Sequence, residues 1–347
     1  MTRADKLYDI LNIRNIDAVL VTDRKNVMYY SGFTGSNGYL VVTKTIKILV
    51  TDSRYTVQAK LQCPGFSVIE MKDFDITKVI FSEQKVGFEN KTISYNEYVM
   101  FKEKLNNMVN LDFALTELRA VKDDEEIKNI TCAAQIADMA FSHMIEFIKE
   151  GMTEYEVSFE LEMYMRKQGA SSLSFESIVA SGANGAMPHA RPGDRKLMSG
   201  DLVVMDFGCL YNGYSSDMTR TVAIGDIDNK KLDVYNSVLC VQKECLNMAV
   251  PGACCKDIHN YSFFKLDSLY NDCYGHGLGH GVGLEVHELP NLNPRSEYIL
   301  TPGNVITIEP GVYIDGFCGV RIEDLVVITE KGNEILSKST KELIKIA

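Results

Sequence analysis

The residues that could do chemistry are four carboxylates and one histidine in the second half of the chain. Asp206 and Asp217 are eleven residues apart, Glu309 and Glu323 are fourteen apart, and His280 lies between the two pairs. Such an oxygen-rich set with one imidazole suits divalent cations, and two such cations can activate a water molecule between them. Two divalent cations would also neutralise four negative charges that a dry site could not otherwise hold. The sequence therefore predicts a site for two metal ions.

The two aspartates lie on a predicted β-hairpin. The Asn212-Gly213 pair is a strong signal for a two-residue turn between strands. If the residues that flank this turn pair with each other, Asp206 lies opposite Thr219. Asp217 is two residues from Thr219 and shares its face, because side chains alternate along a strand. We expect both carboxylates on one face, although a single β-bulge would shift the register and separate them.

Histidines and glycines are concentrated in residues 275–288, which contain His276, His280 and His287. The glycines argue against a helix and for extended backbone packed closely beside a ligand. Of the other histidines, His189 also falls in a candidate site segment. The remaining two, at positions 143 and 259, are interpreted as structural.

The two glutamates lie on strands predicted to be neighbours, joined by a turn at Asp315-Gly316. A glutamate between isoleucine and valine on a strand could simply face solvent. Glu309, however, ends its strand before Pro310-Gly311, where site residues often occur. Alone this pair is weak support for a metal site, and it gains weight from the charge balance of the whole set.

Length and composition bound the class of protein. A chain of 347 residues predicts two domains, and 46% hydrophobic with 24% charged residues is typical of a soluble globular protein. No apolar run is long enough for a membrane span. The net charge of −11 and the lack of a basic stripe argue against nucleic acid. The amino-terminal residues do not resemble a signal peptide, and the nine scattered cysteines are expected to be free thiols, so we expect a cytoplasmic protein.

Periodicity predicts the elements that position these residues. Predicted elements of the amino-terminal part are an amphipathic helix at 6–13 and buried strands near 17–22, 39–42 and 46–51. The glycines at 32, 35 and 38 predict a turn and not a phosphate loop, because a strand follows. A boundary is expected near residue 118. After it, an acidic first turn at 123–126 opens a helix that runs to about 148, and the capping box Thr153 to Glu156 opens another.

These residues carry a family resemblance. Residues 119–347 resemble the pita-bread metallopeptidases, in particular aminopeptidase P and prolidase, which cleave Xaa-Pro bonds. Residues 29–38 (YYSGFTGSNG) and 49–55 (LVTDSRY) are similar to the creatinase-like amino-terminal domain of the same enzymes. The resemblance thus implies an α/β (α+β) protein, with a creatinase-like α/β domain at 1–118 and a pita-bread catalytic domain at 119–347.

The resemblance also implies roles for individual residues. The family's metal ligands fall on Asp206, Asp217, His280, Glu309 and Glu323. Its three accessory histidines match His189, His276 and His287, and Arg321 matches the arginine beside the last ligand. In the implied mechanism, water activated between two metal ions attacks the carbonyl before proline. Glu309 handles the proton of that water, His276 and His287 steady the tetrahedral intermediate, and His189 lies near the proline ring.

Several points remain open within this resemblance. The ligand set favours two Mn²⁺ ions, although Co²⁺, Zn²⁺ and Fe²⁺ tolerate such ligands. Some prolidases have an arginine four residues beyond the third histidine that can grip a dipeptide's carboxylate. Here that position is Asn291, with Arg295 nearby as a substitute. We therefore expect an aminopeptidase that acts on proline-containing peptides, with Xaa-Pro dipeptidase as the alternative, and a homodimer.

Other readings of the resemblance are disfavoured. Methionine aminopeptidase shares the ligand pattern but usually lacks a creatinase-like first domain. A ligand-binding pseudoenzyme of the same fold, or the metal-free creatinase, would have lost ligands that this sequence retains. Bound metal in the purified protein would separate these readings.

Overall fold

The computed structural model describes residues 2–347, and its contacts divide the chain into a unit that ends at Arg119 and a unit Ala120–Ala347. The first unit is built on a mixed six-stranded sheet with the strand order β4-β3-β2-β1-β5-β6. Its helices are α1 (Lys6–Ile13), α2 (Arg24–Ser31), α3 (Thr56–Gln62), α4 (Tyr95–Lys102) and α5 (Ala114–Glu117). Its strands are β1 (Ala18–Val21), β2 (Gly38–Thr43), β3 (Lys47–Thr51), β4 (Ser67–Glu70), β5 (Lys85–Phe88) and β6 (Asn107–Asn110).

The predicted helix at 6–13 and the three predicted buried strands are confirmed in this unit. Every residue of β1 is buried, because the strand pairs on both sides, with β2 antiparallel and β5 parallel. Helix α2 was not predicted. Asp23 caps its first turn by accepting hydrogen bonds from the backbone of Lys25 and Asn26, and Gly32 ends it at φ 81°.

The second unit contains four long helices and several antiparallel ladders. Its helices are α6 (Asp124–Phe147), α7 (Glu154–Lys167), α8 (Asn229–Met248) and α9 (Cys255–Tyr270). Its first strands are β7 (Ser172–Leu173), β8 (Ile178–Ser181), β9 (Leu202–Phe207), β10 (Cys209–Tyr211), β11 (Tyr214–Ser215) and β12 (Met218–Ile224). Its remaining strands are β13 (Gly279–Gly281), β14 (Glu288–Leu292), β15 (Val305–Ile308), β16 (Gly311–Ile314), β17 (Cys318–Arg321), β18 (Asp324–Thr329), β19 (Gly332–Ile335) and β20 (Lys345–Ile346).

These strands form two main sheets and two small ones. The main sheets have the orders β20-β12-β9-β8 and β14-β13-β15-β18-β19, and the small ones are β11-β10-β7 and β16-β17. Both predicted helices are confirmed. Asp123 with Glu126 and Thr153 with Glu156 form the capping boxes that open α6 and α7.

The hairpin register agrees with the sequence prediction. Asp206 pairs with Thr219 in the β9/β12 ladder, and the residues that flank the Asn212-Gly213 turn pair with each other in β10/β11. The register is the same in both ladders, so no β-bulge shifts the pairing, and Asp206 and Asp217 lie on the same face of the hairpin. At Gly208 between them, a Cβ atom would lie 2.0 Å from the carbonyl oxygen of Ser216, so only glycine fits this close approach.

The two predicted strands that carry the glutamates are also neighbours. β15 pairs with β18, and β16 pairs with β17. The two ladders have the same register, and the pairing between them is interrupted at Glu309 and Glu323. The two glutamates therefore occupy facing positions on the two antiparallel strands of this β-ribbon. No helix among residues 2–347 combines the length and apolar character needed to cross a bilayer. All nine cysteines are free, as expected.

Candidate metal centre and active-site cavity

One cavity of about 880 Å³ in the second unit brings the predicted site residues together. Its lining includes all five predicted metal ligands, the three accessory histidines and Arg321. The residues come from the β9/β12 hairpin, from β13, from the ribbon of β15 to β18 and from the loop after β8. Four distant stretches of sequence therefore converge on one volume.

The side chain of His280 faces two of the carboxylates. Its Nε2 lies 3.6 Å from Oδ2 of Asp217 and 3.3 Å from Oε1 of Glu309. Its Nδ1 donates a hydrogen bond to the carbonyl oxygen of Gly281 at 3.2 Å. Burial lowers the pKa of His280, but the hydrogen bond and charge of Glu309 prevail and raise it, so Nε2 carries a proton towards Glu309. With a cation bound, the neutral ring would direct the lone pair of Nε2 at the cation, as metal-binding histidines usually do. Ligand atoms of Asp217, His280 and Glu323 all lie within 4.8 Å of one another.

Thr219 and Arg321 connect Asp206 to Glu323. The hydroxyl of Thr219 donates to Oε2 of Glu323 at 2.6 Å and accepts from Nε of Arg321 at 3.1 Å. Nη2 of Arg321 in turn donates to Oδ2 of Asp206. Each carboxylate thus uses one oxygen within the protein. The other oxygens, Oδ1 of Asp206 and Oε1 of Glu323, are buried and have no hydrogen-bond partner among residues 2–347.

Tyr313 connects Arg321 to His276. Its hydroxyl accepts a hydrogen bond from Nη1 of Arg321 at 2.7 Å and lies 2.9 Å from Nε2 of His276. Nδ1 of His276 donates to the carbonyl oxygen of Gly277 at 2.7 Å. Burial lowers the pKa of His276, so the neutral ring accepts at Nε2 from the tyrosine hydroxyl. Both ring nitrogens of His276 are therefore occupied.

The other two accessory histidines are exposed to the cavity. His287 stands with its ring centroid 4.2 Å from that of His280, and no hydrogen bond from its ring to residues 2–347 is present. Burial and then the neighbouring His280 lower the pKa of His287. His189 lines the same cavity from the loop between β8 and β9. Both rings are free to contact a bound ligand.

Buried Glu154 ties both ends of the loop that carries His189. Its Oε1 accepts from the backbone and hydroxyl of Ser181, each at 2.7 Å, and its Oε2 accepts from the backbone of Gly193 at 3.3 Å. Nδ2 of Asn184 donates to both oxygens at 3.2 Å. Because one carboxylate holds residues before and after His189, the loop has little freedom to move away from the cavity.

The electrostatics of the cluster reflect four carboxyl groups in a buried space. Burial, and then the neighbouring carboxylates, raise the pKa of Asp217 and of Glu323 well above ordinary values. Burial also raises the pKa of Asp206, although Arg321 opposes it. Burial acts on Glu309 in the same sense, but the hydrogen bond and charge of His280 prevail and lower its pKa to about 2. The cluster is therefore a place where added positive charge is strongly favourable.

These observations fit a divalent metal site. The unpartnered oxygens of Asp206 and Glu323 are buried acceptors, which are costly to leave without a donor or a cation. The position of Nε2 of His280 beside the carboxylates and the repulsion among the carboxylates add to this fit. A bound cation would supply a partner for the oxygens and relieve the repulsion.

The sequence reasoning missed several residues of the site. Thr219 was named only as the partner of Asp206, although the register that placed it there also places its side chain beside the carboxylates. Tyr313 was missed, and its alternation with Glu309 and Gly311 along the ribbon could have indicated it. Glu154 was not predicted, and no local signal marks its role. Arg295, considered as a substitute carboxylate ligand, is exposed and is not among the described residues that line the cavity.

Comparison with known proteins agrees with this architecture. The profile of metallopeptidase family M24 matches residues 128–330, and that of the creatinase/prolidase N-terminal domain matches residues 3–121. The Xaa-Pro dipeptidase of Pyrococcus furiosus is 39% identical, with 99% of each chain covered. The solved structure of an Xaa-Pro dipeptidase from Bacillus anthracis is 39% identical, with a TM-score of 0.94 and 99% of each chain covered. That of an X-Pro aminopeptidase from Thermotoga maritima is 35% identical, with a TM-score of 0.90 and 100% of each chain covered.

The predicted family and fold are therefore confirmed, with a creatinase-like amino-terminal domain followed by a pita-bread domain. The family assignment also makes the protein a hydrolase. The site cavity lies in the second unit. The chain belongs to metallopeptidase family M24.

Proposed function

We propose that the protein is a dinuclear-metal aminopeptidase that releases the amino-terminal residue from peptides with proline in second position. The observation that carries this proposal is the convergence of Asp206, Asp217, His280, Glu309 and Glu323 on one cavity, with two buried carboxylate oxygens unpartnered. The Xaa-Pro substrates are proposed from the names of the similar proteins. Both the dipeptidase from Bacillus anthracis and the aminopeptidase from Thermotoga maritima are named for such bonds.

The same five residues would hold two divalent cations, and we propose Mn²⁺ because four of the five side chains offer carboxylate oxygens. When bound, the cations would polarise the substrate carbonyl and lower the pKa of a water molecule. The free amine of the substrate is proposed to lie at this end of the cavity, where carboxylate oxygens can accept its hydrogen bonds. An amino-terminal residue would then lie beside the cluster, which explains why only that residue is released.

Glu309 is proposed to move the proton of the reaction. Its carboxylate accepts the proton that the attacking water loses as the new carbon–oxygen bond forms. It then passes that proton to the proline nitrogen as the carbon–nitrogen bond breaks. Thr307 donates to Oε1 of Glu309 at 3.2 Å and accepts from the backbone N–H of His280, so one hydroxyl fixes the Glu309 carboxylate relative to the strand that carries His280.

The three accessory histidines are proposed to have different roles. His287 has a free ring at the cavity and is proposed to donate to the carbonyl oxygen as negative charge develops there. His276 was expected to share this role, but both of its ring nitrogens are engaged. We therefore propose that His276 positions Tyr313, and through it Arg321. His189 is proposed to contact the proline ring from its loop.

The second candidate is a strict Xaa-Pro dipeptidase, as relatives from Pyrococcus furiosus and Bacillus anthracis are named. Against it stands the chemistry near His287, where the cavity is lined by the neutral Asn291 and Asn293. Neither side chain offers the bidentate cationic grip that a dipeptide's carboxylate would prefer at this position. The names favour the dipeptidase, and the cavity favours longer peptides.

A peptide panel tests the proposal. Ala-Pro, Ala-Pro-Ala and a control without proline, Ala-Ala-Ala, are incubated with metal-stripped enzyme, with and without added Mn²⁺. We expect Mn²⁺-dependent release of alanine from Ala-Pro-Ala, with a higher kcat/KM than for Ala-Pro. Cleavage of Ala-Pro alone would establish the dipeptidase, and cleavage of neither proline peptide would refute both candidates.

The setting of the enzyme is part of the proposal. We propose that it acts in the cytoplasm as a homodimer. Sedimentation equilibrium of the purified chain, whose monomer mass is 38.9 kDa, tests the dimer.

A further inference from the structure

The active-site cavity has a mouth whose lining the proposed chemistry does not use. A volume of about 880 Å³ lies near the upper end of the roughly 300–1,000 Å³ typical of small-molecule sites. The carboxylates Asp206, Asp217 and Glu323 are at most 9% exposed, whereas Tyr155 and Phe159, which also line the cavity, are 62% and 57% exposed. This gradient places the two aromatic rings, one helical turn apart on α7, at the opening of the cavity.

The charges of the lining are strongly one-sided. Its carboxylate side chains are the four of the cluster together with Glu162 and Glu176. The guanidinium groups of the lining are those of Arg321 and Arg191. Arg321 is buried and donates to Asp206, Thr219, Tyr313 and the carbonyl oxygen of Pro188, so it is held deep in the cavity, away from a ligand at the mouth.

Arg191 is in the opposite situation. Its side chain is 86% exposed and forms an ion pair with the equally exposed Glu176, with Nη2 and Oε2 3.5 Å apart. Exposed pairs of this kind contribute little, because solvent screens them and two long side chains must be ordered. A peptide carboxylate that enters the cavity could displace Glu176 and form a bidentate pair with Arg191.

The backbone of Arg191 is held in place at the mouth. Arg191 lies two residues after His189 and two before Gly193, whose N–H donates to buried Glu154. The same carboxylate binds Ser181 and Asn184 before the loop turns towards the cavity. Only the arginine side chain must be ordered when a ligand binds, which lowers the entropic cost of the interaction.

We propose that Arg191 binds the terminal carboxylate of peptides that extend past the proline, while Tyr155 and Phe159 cover the side chain that follows the proline. The assignment rests on the proposed function and names the substrate class of the same site: short peptides with a free carboxyl terminus. The cationic anchor lies on the His189 loop, apart from the segment that contains Asn291 and Arg295.

Kinetics with matched peptides test the anchor. Ala-Pro-Leu and Ala-Pro-Leu-amide are compared as substrates of the Mn²⁺-loaded wild type and of Arg191→Gln, which keeps polarity and loses the charge. We expect the KM for the free acid to rise about five- to tenfold in the variant, with the effect on KM rather than kcat. The KM for the amide should match that of the wild type. Equal effects on acid and amide, or no effect on either, would overturn the assignment.

Arg295→Gln is the matched control, because Arg295 is an exposed arginine outside the cavity lining. It should leave both KM values within twofold of the wild type. If Arg295→Gln raised the KM for the free acid and Arg191→Gln did not, the anchor would lie in the other segment and the proposal would be wrong.

A binding measurement separates this inference from the proposed function. Calorimetric titration with the product-like dipeptide Pro-Leu and with Pro-Leu-amide needs no turnover. We expect the acid to bind the wild type about five- to tenfold more tightly than the amide, and this preference to vanish in Arg191→Gln. A wild type that cleaves Ala-Pro-Leu but shows no Arg191-dependent preference would refute the anchor alone. A wild type that cleaves no Xaa-Pro peptide would refute the proposed function, and absence of the binding preference as well would refute both.

Discussion

Thr219 donates a hydrogen bond of 2.6 Å to Oε2 of Glu323 and thereby joins the hairpin that carries Asp206 and Asp217 to the ribbon that carries the two glutamates. The same hydroxyl accepts from Nε of Arg321, which holds Asp206. A single threonine thus fixes the orientation of carboxylates on two separate sheets. Such partners of metal ligands control how well the ligands are preorganised for the ion.

Replacement of Thr219 by valine should weaken metal binding without unfolding the protein. Valine fills the same volume, but it leaves Oε2 of Glu323 and Nε of Arg321 without a partner. We expect the affinity for Mn²⁺ to fall about 10- to 100-fold, measured by competition with a chromophoric chelator. Thr221→Val is the matched control, because Thr221 is equally buried on the same strand and bonds only to the backbone of Arg321. Equal loss of affinity in both variants would contradict a specific role for Thr219.

Substitution of Asp217 by asparagine should remove metal and activity together. Asparagine keeps the shape of the side chain but loses one of the charges that would balance the cations. We expect less than one metal ion per chain by elemental analysis, and a loss of turnover of about 1,000-fold or more, since metal catalysis supplies several kcal/mol. His280→Ala should behave in the same way.

His143→Gln is the control for these variants, because His143 pairs with Glu160 outside the cavity. It should retain both metal and activity. Full activity in either Asp217→Asn or His280→Ala would show that the ligand assignment is wrong.

The sequence predicted the arrangement of the candidate residues where a local rule fixed the geometry. The turn at Asn212-Gly213 set the register that pairs Asp206 with Thr219. Alternation of side chains along the strand then placed Asp217 on the face of Thr219. The glycines near His280 correctly indicated close backbone packing, since a Cβ at Gly281 would lie 2.2 Å from the carbonyl oxygen of Leu289. Rules of this kind need only a few consecutive residues.

Prediction failed where a structure depends on residues far apart in the chain. The segment of helix α2 carries little apolar periodicity, so only its cap at Asp23 and the glycine at 32 could have marked it. Nothing near Glu154 shows that its carboxylate will bind a loop almost forty residues later. The position of Tyr313 between Arg321 and His276 likewise exists only after β16, β17 and the segment before β13 have assembled.

Loss of the Glu154 carboxylate should loosen the loop that carries His189 and Arg191. In Glu154→Gln the new amide would face the N–H of Gly193, so a buried donor would lose its acceptor. We expect the free energy of unfolding to fall by about 1–3 kcal/mol in urea titrations. The KM for Ala-Pro-Leu should rise, while the affinity for Mn²⁺ stays within twofold of the wild type, because the hydrogen bonds of Glu154 go to Ser181, Asn184 and Gly193, which are not among the proposed metal ligands. A loss of metal affinity with an unchanged KM would contradict this division of roles.

Acid should destabilise the protein partly through His259. Burial lowers the pKa of His259 below its ordinary value of 6.5. Its Nδ1 accepts a hydrogen bond from the backbone N–H of Leu278. The carbonyl oxygen of Leu278 in turn accepts one from the backbone N–H of Glu309. Because the folded-state pKa is depressed, the unfolded chain takes up the proton first as the pH falls below 6.5, and stability is lost in that window. We expect the urea midpoint of the wild type to be lower at pH 5.0 than at pH 7.5.

His259→Asn isolates this contribution, because the asparagine oxygen can accept from Leu278 and does not titrate. The variant should lose less stability than the wild type over the same pH range. The same loss in both proteins would assign the acid sensitivity to other groups.

Removal of metal should lower thermal stability, and Mn²⁺ should restore it. The cluster holds carboxyl groups whose burial, and then mutual repulsion, raise the pKa of Asp217 and Glu323 in the absence of added positive charge. A cation that binds only the folded chain stabilises it by about 2.7 kcal/mol at a concentration 100 times its Kd. We expect chelator treatment to lower the Tm by several degrees and titration with Mn²⁺ to reverse the change along with activity. Recovery with Mg²⁺ alone would count against manganese, and a Tm insensitive to chelator and to every added metal would remove the basis for a cation site in this cavity.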